Sequence, residues 1–442
     1  MKKLLLLIVL VAVSLVAALP AGIGWLVQSQ AEQWAEQFNA DNPQWQLSLQ
    51  QYQRGWWRSQ AHWQLQAIEH PASHPLARDL ALDIHQDVFH GPFANTDNGA
   101  RWALLTAQSR IGGGWSEQAA TLAADSQVVL GLDLVLSGEL EWQAFAHQNG
   151  QQKLQSQAGK LDLHLNFNEN RLQLAVDVGA GEYRLGENTT RWQSLKASTL
   201  RHAGQSLEAD IHGRDIAWAG NQLGQGELRW RANGDDNGLW HHQLAVSANA
   251  LEMGENQIER LELQGWVEQL HAAASLRIVQ AMMEVERAGL DRRGSNNARL
   301  AVLLQHLPAV LEARPRLGLE PLIIDSELGQ LQINGQANLD QARPMHLASP
   351  FLLEQGAQLQ ASIEVDRSML SELLIRRYQS QAGEFRRGEN DSHLYRRLAE
   401  QQIDTWLQAG LLQRKGERLV SEVDLARGGW LINQQPWIRG LQ

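Results

Sequence analysis

The longest apolar stretch of the chain is an uncharged run from Leu4 to Val27 that follows two lysines. A helix of about 20 apolar residues spans the ~30 Å hydrocarbon layer, and lysines before it favour a cytoplasmic N-terminus. The pattern predicts a cytoplasmic N-terminus at residues 1–3 and a transmembrane signal-anchor at residues 4–27. The alternative is a cleaved secretory signal whose apolar core ends at Leu15. Both interpretations export the remainder of the chain.

Apolar and polar residues alternate over much of residues 28–270, which is the period of a β-strand with one face in water. One such run contains Leu161, Leu163 and Leu165, and another extends from Leu130 to Leu136. Turn-forming residues such as Asn and Gly separate the runs. We therefore predict a large, mostly antiparallel and curved β-sheet in this region.

The pattern changes in residues 271–442, where apolar residues recur with the 3.6-residue period of a helix between further strands. One predicted helix is capped by Ser295 and kinked or split by Pro308, two more are capped by Ser368 and Ser392, and the last of these ends at Gly410. The whole chain is predicted to have an α+β fold. An N-terminal transmembrane helix precedes a large, mostly antiparallel curved β-sheet, and the helices are concentrated in the C-terminal third.

Charge and composition limit the classes of partner that the chain could bind. The 442 residues carry a formal net charge of −11, with 38 Lys and Arg against 49 Asp and Glu, and include no Cys. Nucleic-acid binding needs clustered basic residues, so we expect no nucleic-acid partner, and disulfides and thiolate metal sites are excluded. Basic pairs occur near the C-terminus at Arg376, Arg377, Arg386, Arg387, Arg396 and Arg397. These arginines are interpreted as the solvated face of a helix pair, and the alternative is contact with anionic lipid headgroups.

No sequence motif fixes a reaction, because the chain has no Gly-x-Ser-x-Gly elbow, no phosphate-binding loop and no His-Glu-x-x-His. His70 and His74 have a metal-like spacing, but each is followed by a proline that disfavours a helix. Glu139 and Glu141 share a strand face, which glycoside chemistry could use, but a solvated face is the commoner arrangement. We predict no catalytic residue, no cofactor-binding residue, no metal ligand and no enzymatic activity.

Two segments carry a family resemblance. The segment from Tyr52 to Ala61 reads YQRGWWRSQA, and residues 429–433 near the end of the chain read GWLIN. Together they resemble the signatures of the YdgA-like family of bacterial inner-membrane proteins, a family of unknown function. The resemblance implies a signal-anchored protein with residues 28–270 and 271–442 in the periplasm. The residues that match the signature, with an expected structural role, are Tyr52, Arg54, Gly55, Trp56, Ser59, Gly429 and Asn433.

Members of this family are also distantly similar to AsmA-like envelope proteins, whose open β-sheet grooves are associated with lipid handling. We therefore expect a single-pass inner-membrane protein whose bulk lies in the periplasm, with a binding or envelope-maintenance role and an apolar groove for a lipid or acyl chain. The membrane, through the N-terminal helix, and a second copy of the chain are further expected partners. Two alternatives remain open: a self-associating scaffold whose interface is residues 368–410, and a hydrolase that acts on an envelope polymer.

Overall fold

The computed structural model describes residues 26–31, 33–68, 80–90, 93–96, 99–115, 121–149, 152–202, 206–254, 256–287, 292–339, 355–382, 389–426 and 429–437. The chain divides into two units. The first unit comprises Met1–Gly204 and Ala209–Ala219, and the second comprises Gln205–Glu208 and Gly220–Gln442.

The first unit is built almost entirely of antiparallel strands. One series pairs in the order β1, β2, β3, β5, β6, β7, β10, β11 and β14, and a second series pairs in the order β8, β9, β12, β13 and β15. Its elements are α1 (26–41), β1 (Trp45–Gln53), β2 (Arg58–Ala67), β3 (Leu80–His90), β4 (Phe93–Thr96), β5 (Gly99–Trp115), β6 (Thr121–Gly131), β7 (Val135–Trp142), β8 (Phe145–Asn149), β9 (Gln152–Ser156), β10 (Gly159–Asn166), β11 (Arg171–Val178), β12 (Gly181–Leu185), β13 (Asn188–Trp192), β14 (Ser194–His202) and β15 (Ser206–Trp218), the last of which begins in the second unit.

In the described residues, the second unit combines one antiparallel series of strands with several helices. Beyond β16, the strands pair in the order β17, β18, β19, β20, β21, β23, β24 and β25. Its elements are β16 (Asn221–Gly234), β17 (Leu239–Met253), β18 (Asn256–His271), α2 (Ala272–Arg287), α3 (Arg292–Glu312), β19 (Arg316–Ser326), β20 (Gly329–Asn338), β21 (Gln358–Asp366), α4 (Arg367–Ala382), α5 (Glu389–Gln408), β22 (Gln413–Lys415), β23 (Arg418–Ala426), β24 (Gly429–Ile432) and β25 (Gln435–Trp437).

The predicted alternation of apolar and polar faces is confirmed in β10. Leu161, Leu163 and Leu165 are half-buried, whereas Asp162 and His164 between them are exposed. Successive side chains of a strand point to opposite faces, so one face of the sheet is apolar and the other is wet. The antiparallel sheet that this pattern predicts is confirmed.

The predicted fold class is wrong in its first element and in the placement of its helices. Among the described residues, no helix is both long enough and apolar enough to cross a bilayer. Most of the predicted transmembrane span at residues 4–27 lies outside the described residues, and the described helix α1 is amphipathic, with Ala31 and Ala35 buried and Glu36 exposed. The described chain is a large antiparallel sheet with few helices, two of which, α1 and α2, lie before the C-terminal third.

Several local predictions are also wrong. The run from Leu130 to Leu136 is not one strand, because a turn at residues 132–134 separates β6 from β7 and Leu134 has a positive φ of 59°. Pro308 does not split its helix, which continues from Arg292 to Glu312. Ser295 lies inside that helix rather than at its cap.

The best-buried core of the second unit lies where α4 and α5 cover one end of the sheet. Ala399 and Ile403 of α5 are fully buried against Val365 of β21 and Leu419 of β23. Helix α5 ends at Gln408, and Gly410 follows with a φ of 72°, as predicted for a glycine that terminates a helix. The two helices are therefore fixed to the sheet by apolar packing.

Candidate functional site

Ser59, one of the predicted signature residues, is part of a buried pair in the first unit. Its Oγ atom lies 2.7 Å from Nε2 of His90, and the two residues are 0% and 2% exposed. The backbone N–H of His90 also donates to the carbonyl of Trp57, at 2.8 Å. Burial lowers the pKa of His90 from its ordinary value, so the ring is neutral at neutral pH. A serine without solvent access cannot attack a substrate, so the pair joins β2 to β3 rather than acting as a nucleophile and base.

The other residues of the first signature surround the turn between β1 and β2. A Cβ on Gly55 would lie 2.2 Å from the carbonyl oxygen of Arg58, so the turn requires glycine. Tyr52 is half-buried in β1 opposite Ala61, whereas Arg54 and Trp56 are exposed. Gly55 and Ser59 thus have clear structural roles in this turn.

The second signature lies in the second unit, at the turn between β24 and β25. The Oδ1 atom of Asn433 accepts from the N–H of Glu422, at 2.8 Å, and its Nδ2 atom donates to the carbonyl of Gly410, at 2.7 Å. Asn433 and Gln434 both have positive φ, 50° and 65°, as in a type I′ turn. Asn433 therefore ties β23, the turn and the end of α5 together. Gly429 begins β24, and a Cβ there would make an ordinary contact of 3.5 Å.

A polar trough of about 830 Å³ lies on the wet face of the first unit. One row of opposed residues crosses six strands from β2 to β10, and it consists of His62, His85, Arg110, Asp125, Glu141 and Lys160. The rings of His62 and His85 stack with centroids 4.4 Å apart. Asp87, in the trough, pairs with Arg58 at 2.6 Å, so part of the charge is compensated internally.

Glu139 and Glu141, the two carboxylates considered for glycoside chemistry, lie in this trough. Glu139 contacts Nζ of Lys160 at 2.6 Å, and Lys160 also contacts Asp162 at 3.3 Å. The hydrogen bond from Lys160 lowers the pKa of Glu139. A glycosidase needs one carboxyl group with a raised pKa to act as the general acid. The geometry at Glu139 favours a solvated, ion-paired face over acid catalysis. His70 and His74 lie outside the described residues.

An apolar furrow crosses the apolar face of the sheet in the second unit. We use this name for the row of opposed residues that runs through β17, β18, β19, β20, β21 and β23, which consists of Leu244, Gly265, Leu319, Gly335, Ala361 and Val423. Larger side chains stand in the neighbouring row on one side, at Leu263, Leu322, Ile333 and Ile363. The row on the other side contains Val267, Leu317, Ala337 and Leu359. Gly265, Gly335 and Ala361 are smaller than their neighbours in the adjacent rows, so they leave depressions in the apolar face on either side of Leu319.

The floor of the furrow is not covered by another described element. A Cβ on Gly265 would meet only the carbonyl oxygen of Gly318 within 4 Å among the described residues, and that oxygen belongs to the neighbouring strand. A Cβ on Gly335 would have its nearest contacts with Gln360 and Ala361, also in the neighbouring strand. Leu244 and Leu317, in and beside the furrow, are 37% and 42% exposed. The apolar face is therefore open along this row.

One edge of this apolar face is closed. The row containing Ile324, Leu331, Val365 and Leu419 packs against α4 and α5. At the β16–β17 edge, His242 stacks between Trp230 and Trp240, with ring centroids 5.7 Å and 6.1 Å away. Burial lowers the pKa of His242, so it adds no charge to the apolar face at neutral pH. The furrow is thus an apolar channel with one helical wall.

Sequence reasoning identified Ser59, Gly55 and Asn433, but it did not identify their hydrogen-bond partners or the position of the furrow.

The chain matches, over residues 1–437, the family described as "Bacterial protein of unknown function (DUF945)". The chain belongs to this family. No curated protein and no solved structure matches it. Membership agrees with the prediction of a bacterial family of unknown function, and the narrower YdgA-like and AsmA-like resemblances stay predictions.

Proposed function

We propose that this member of the family is a non-enzymatic binding protein that holds an acyl chain or a similar apolar ligand in the furrow of the second unit. The observation that carries the proposal is the uncovered floor at Gly265 and Gly335 between two rows of larger apolar side chains. Exposed apolar surface of this extent is costly in water, and it is typical of a ligand groove or an interaction site.

The dimensions of the furrow suit an acyl chain. Six adjacent strands spaced about 4.8 Å apart give the row a length of about 24 Å. Each leaflet contributes about half of the ~30 Å hydrocarbon layer of a bilayer, so one acyl chain needs about 15 Å. Because the floor offers no charged side chain, the ligand's polar group would remain outside the furrow. We propose that the ligand is taken from lipids of the bacterial envelope, outside the cytoplasm.

A pair of substitutions in β21 tests the proposal. Ala361→Leu fills the furrow, whereas Ser362→Leu places the same side chain on the polar face, because adjacent strand residues face opposite ways. Binding of a fluorescent fatty acid should weaken at least tenfold, about 1.4 kcal/mol, in the first variant and remain unchanged in the second. Equal binding by both variants would place the ligand elsewhere.

Native mass spectrometry of the purified chain separates this function from the self-associating scaffold. Co-purified lipid that is lost in Ala361→Leu supports the furrow. A lipid-free dimer with a helical interface would support the scaffold.

A substitution tests the hydrolase. Hydrolysis of an envelope polymer that is lost when one buried carboxylate is neutralised, with folding intact, would support the hydrolase.

A further inference from the structure

Three leucines are exposed on the outer faces of α4 and α5. Leu373 on α4 is 47% exposed, and Leu394 and Leu398 on α5 are 41% and 38% exposed. Leu394 and Leu398 are four residues apart, so they are neighbours on one face of α5. The inner face of α5 is fully buried at Ala399 and Ile403, and that of α4 is buried at Leu374 and Ile375, so the exposed leucines are not loosely packed core residues.

Two arginines near these leucines pair with no carboxylate among the side chains that the structure describes. Arg377 follows Leu373 by four residues and Arg397 follows Leu394 by three, so each lies on the same helix face as its leucine. Both arginines are exposed, and neither forms an ion pair with a described residue.

The carboxylates whose side chains the structure describes on the two helices are paired with other arginines. Glu372 binds Arg376 at 3.0 Å, and Glu400 and Asp404 bind Arg367 at 2.6 Å and 2.9 Å. Among the described side chains, the outer surface of α4 and α5 therefore combines unpaired positive charge with apolar residues, although the whole chain has a net charge of −11.

We propose that this outer surface, formed by Leu373, Leu394, Leu398, Arg377 and Arg397, docks on an anionic lipid surface. The leucines would enter the boundary between headgroups and acyl chains, and the arginines would remain among the anionic headgroups. A second copy of the chain fits less well, because a two-fold interface would bring the same arginines together. The proposal goes beyond the acyl-chain furrow and does not depend on it.

Vesicle sedimentation tests the proposal, with vesicles of phosphatidylcholine alone and vesicles that also contain phosphatidylglycerol. The chain should bind only the anionic vesicles, and added salt should weaken the binding. Each of Arg377→Gln and Arg397→Gln should weaken binding about fivefold, the factor for about 1 kcal/mol per basic residue. Arg414→Gln, which removes the same charge from an exposed residue of β22, is the matched control and should bind like the unchanged chain.

The double variant Leu394→Ser/Leu398→Ser should also lose binding, and its circular dichroism and fatty-acid binding should match those of the unchanged chain. Retained fatty-acid binding separates failure of this surface from failure of the furrow. Binding that is equal on both kinds of vesicle, or that survives the double substitution Arg377→Gln/Arg397→Gln, would overturn the proposal. It would also be overturned if the chain ignores vesicles and forms a dimer that the leucine variant dissociates.

Discussion

The pair of Ser59 and His90 determines how firmly β2 is held to β3. Removing the hydroxyl in Ser59→Ala leaves a buried ring nitrogen without its partner, since the two atoms are 2.7 Å apart and the pair excludes water. An unsatisfied buried polar group costs about 1–3 kcal/mol, so the free energy of unfolding should fall by that amount. Denaturant unfolding measures the loss. Ser48→Ala, which removes a 3.4 Å hydrogen bond to the carbonyl of Gln64 and an exposed 2.8 Å hydrogen bond from Gln50, should change stability by less than about 0.5 kcal/mol.

The ion pairs of Glu182 should make the free energy of unfolding depend on pH. This buried carboxylate accepts from Arg191 at 2.8 Å and from Lys153 at 3.1 Å, and these interactions, the Arg191 bond first, lower its pKa from 4.5. A carboxyl group whose pKa is lowered by folding stabilises the fold above its unfolded pKa and loses this contribution as pH falls through the folded pKa.

The variant Glu182→Gln should therefore be less stable than the unchanged chain by about 1 kcal/mol at neutral pH. The difference should shrink as the pH is lowered below 4.5. Urea unfolding at several pH values measures it. Glu187→Gln, in the exposed turn that follows β12, serves as the control. A difference that persists unchanged in acid would mean that the ion pairs do not account for the stability.

The sequence indicated some of these residues but not their partners. Gly55 and Ser59 were identified because they belong to a recognisable segment. His90 and Glu182 were not, since Ser59 and His90 are 31 residues apart in the chain and Lys153 and Glu182 are 29 apart. Pairing of this kind depends on strand order and register, which alternation alone does not specify.

At the scale of elements, Asn433 joins three segments through one side chain. Asn433→Ala would leave the N–H of Glu422 and the carbonyl of Gly410 without partners and would place alanine at a φ of 50°. We expect a loss of about 2–4 kcal/mol in the free energy of unfolding. Asn433→Gly should lose about 1 kcal/mol less, because glycine tolerates positive φ.

Gln434→Gly is the matched control for Asn433, because Gln434 is exposed and has a φ of 65°. Glycine there should be neutral or stabilise the chain by up to about 1 kcal/mol. Denaturant unfolding of the three variants gives the comparison. Equal losses for Asn433→Ala and Gln434→Gly would contradict the role assigned to the Asn433 side chain.

Elements were predicted well where a pattern had one interpretation. The strands around Leu161 and the helix end at Gly410 followed from alternation and from glycine. The run from Leu130 to Leu136 failed because its leucines keep the period of a strand through a turn, where Asp133 accepts from the N–H of Val135. Local side-chain hydrogen bonds of this kind compete with a strand and leave no trace in hydrophobic periodicity.

For the whole molecule, the one-sided antiparallel sheet was predictable and the furrow was not. Its floor depends on which glycines become opposed across strands, and the bulge between Leu319 and Leu322 sets that alignment. A shift of one residue would move Gly335 to the other face. The N-terminal apolar run predicted a transmembrane helix, and the described residues contain no helix that supports this prediction.

If an acyl chain binds in the furrow, amide hydrogen exchange should slow in the second unit and not in the first. A ligand at 100 times its dissociation constant stabilises the unit that binds it by about 2.7 kcal/mol, which slows the exchange of protected amides up to about 100-fold. Hydrogen–deuterium exchange with the fluorescent fatty acid should therefore slow in β19–β21 and β23 and remain unchanged in β5–β7. Ala361→Leu should abolish the protection. Slowed exchange in β5–β7 instead would show that the polar trough of the first unit is the binding site.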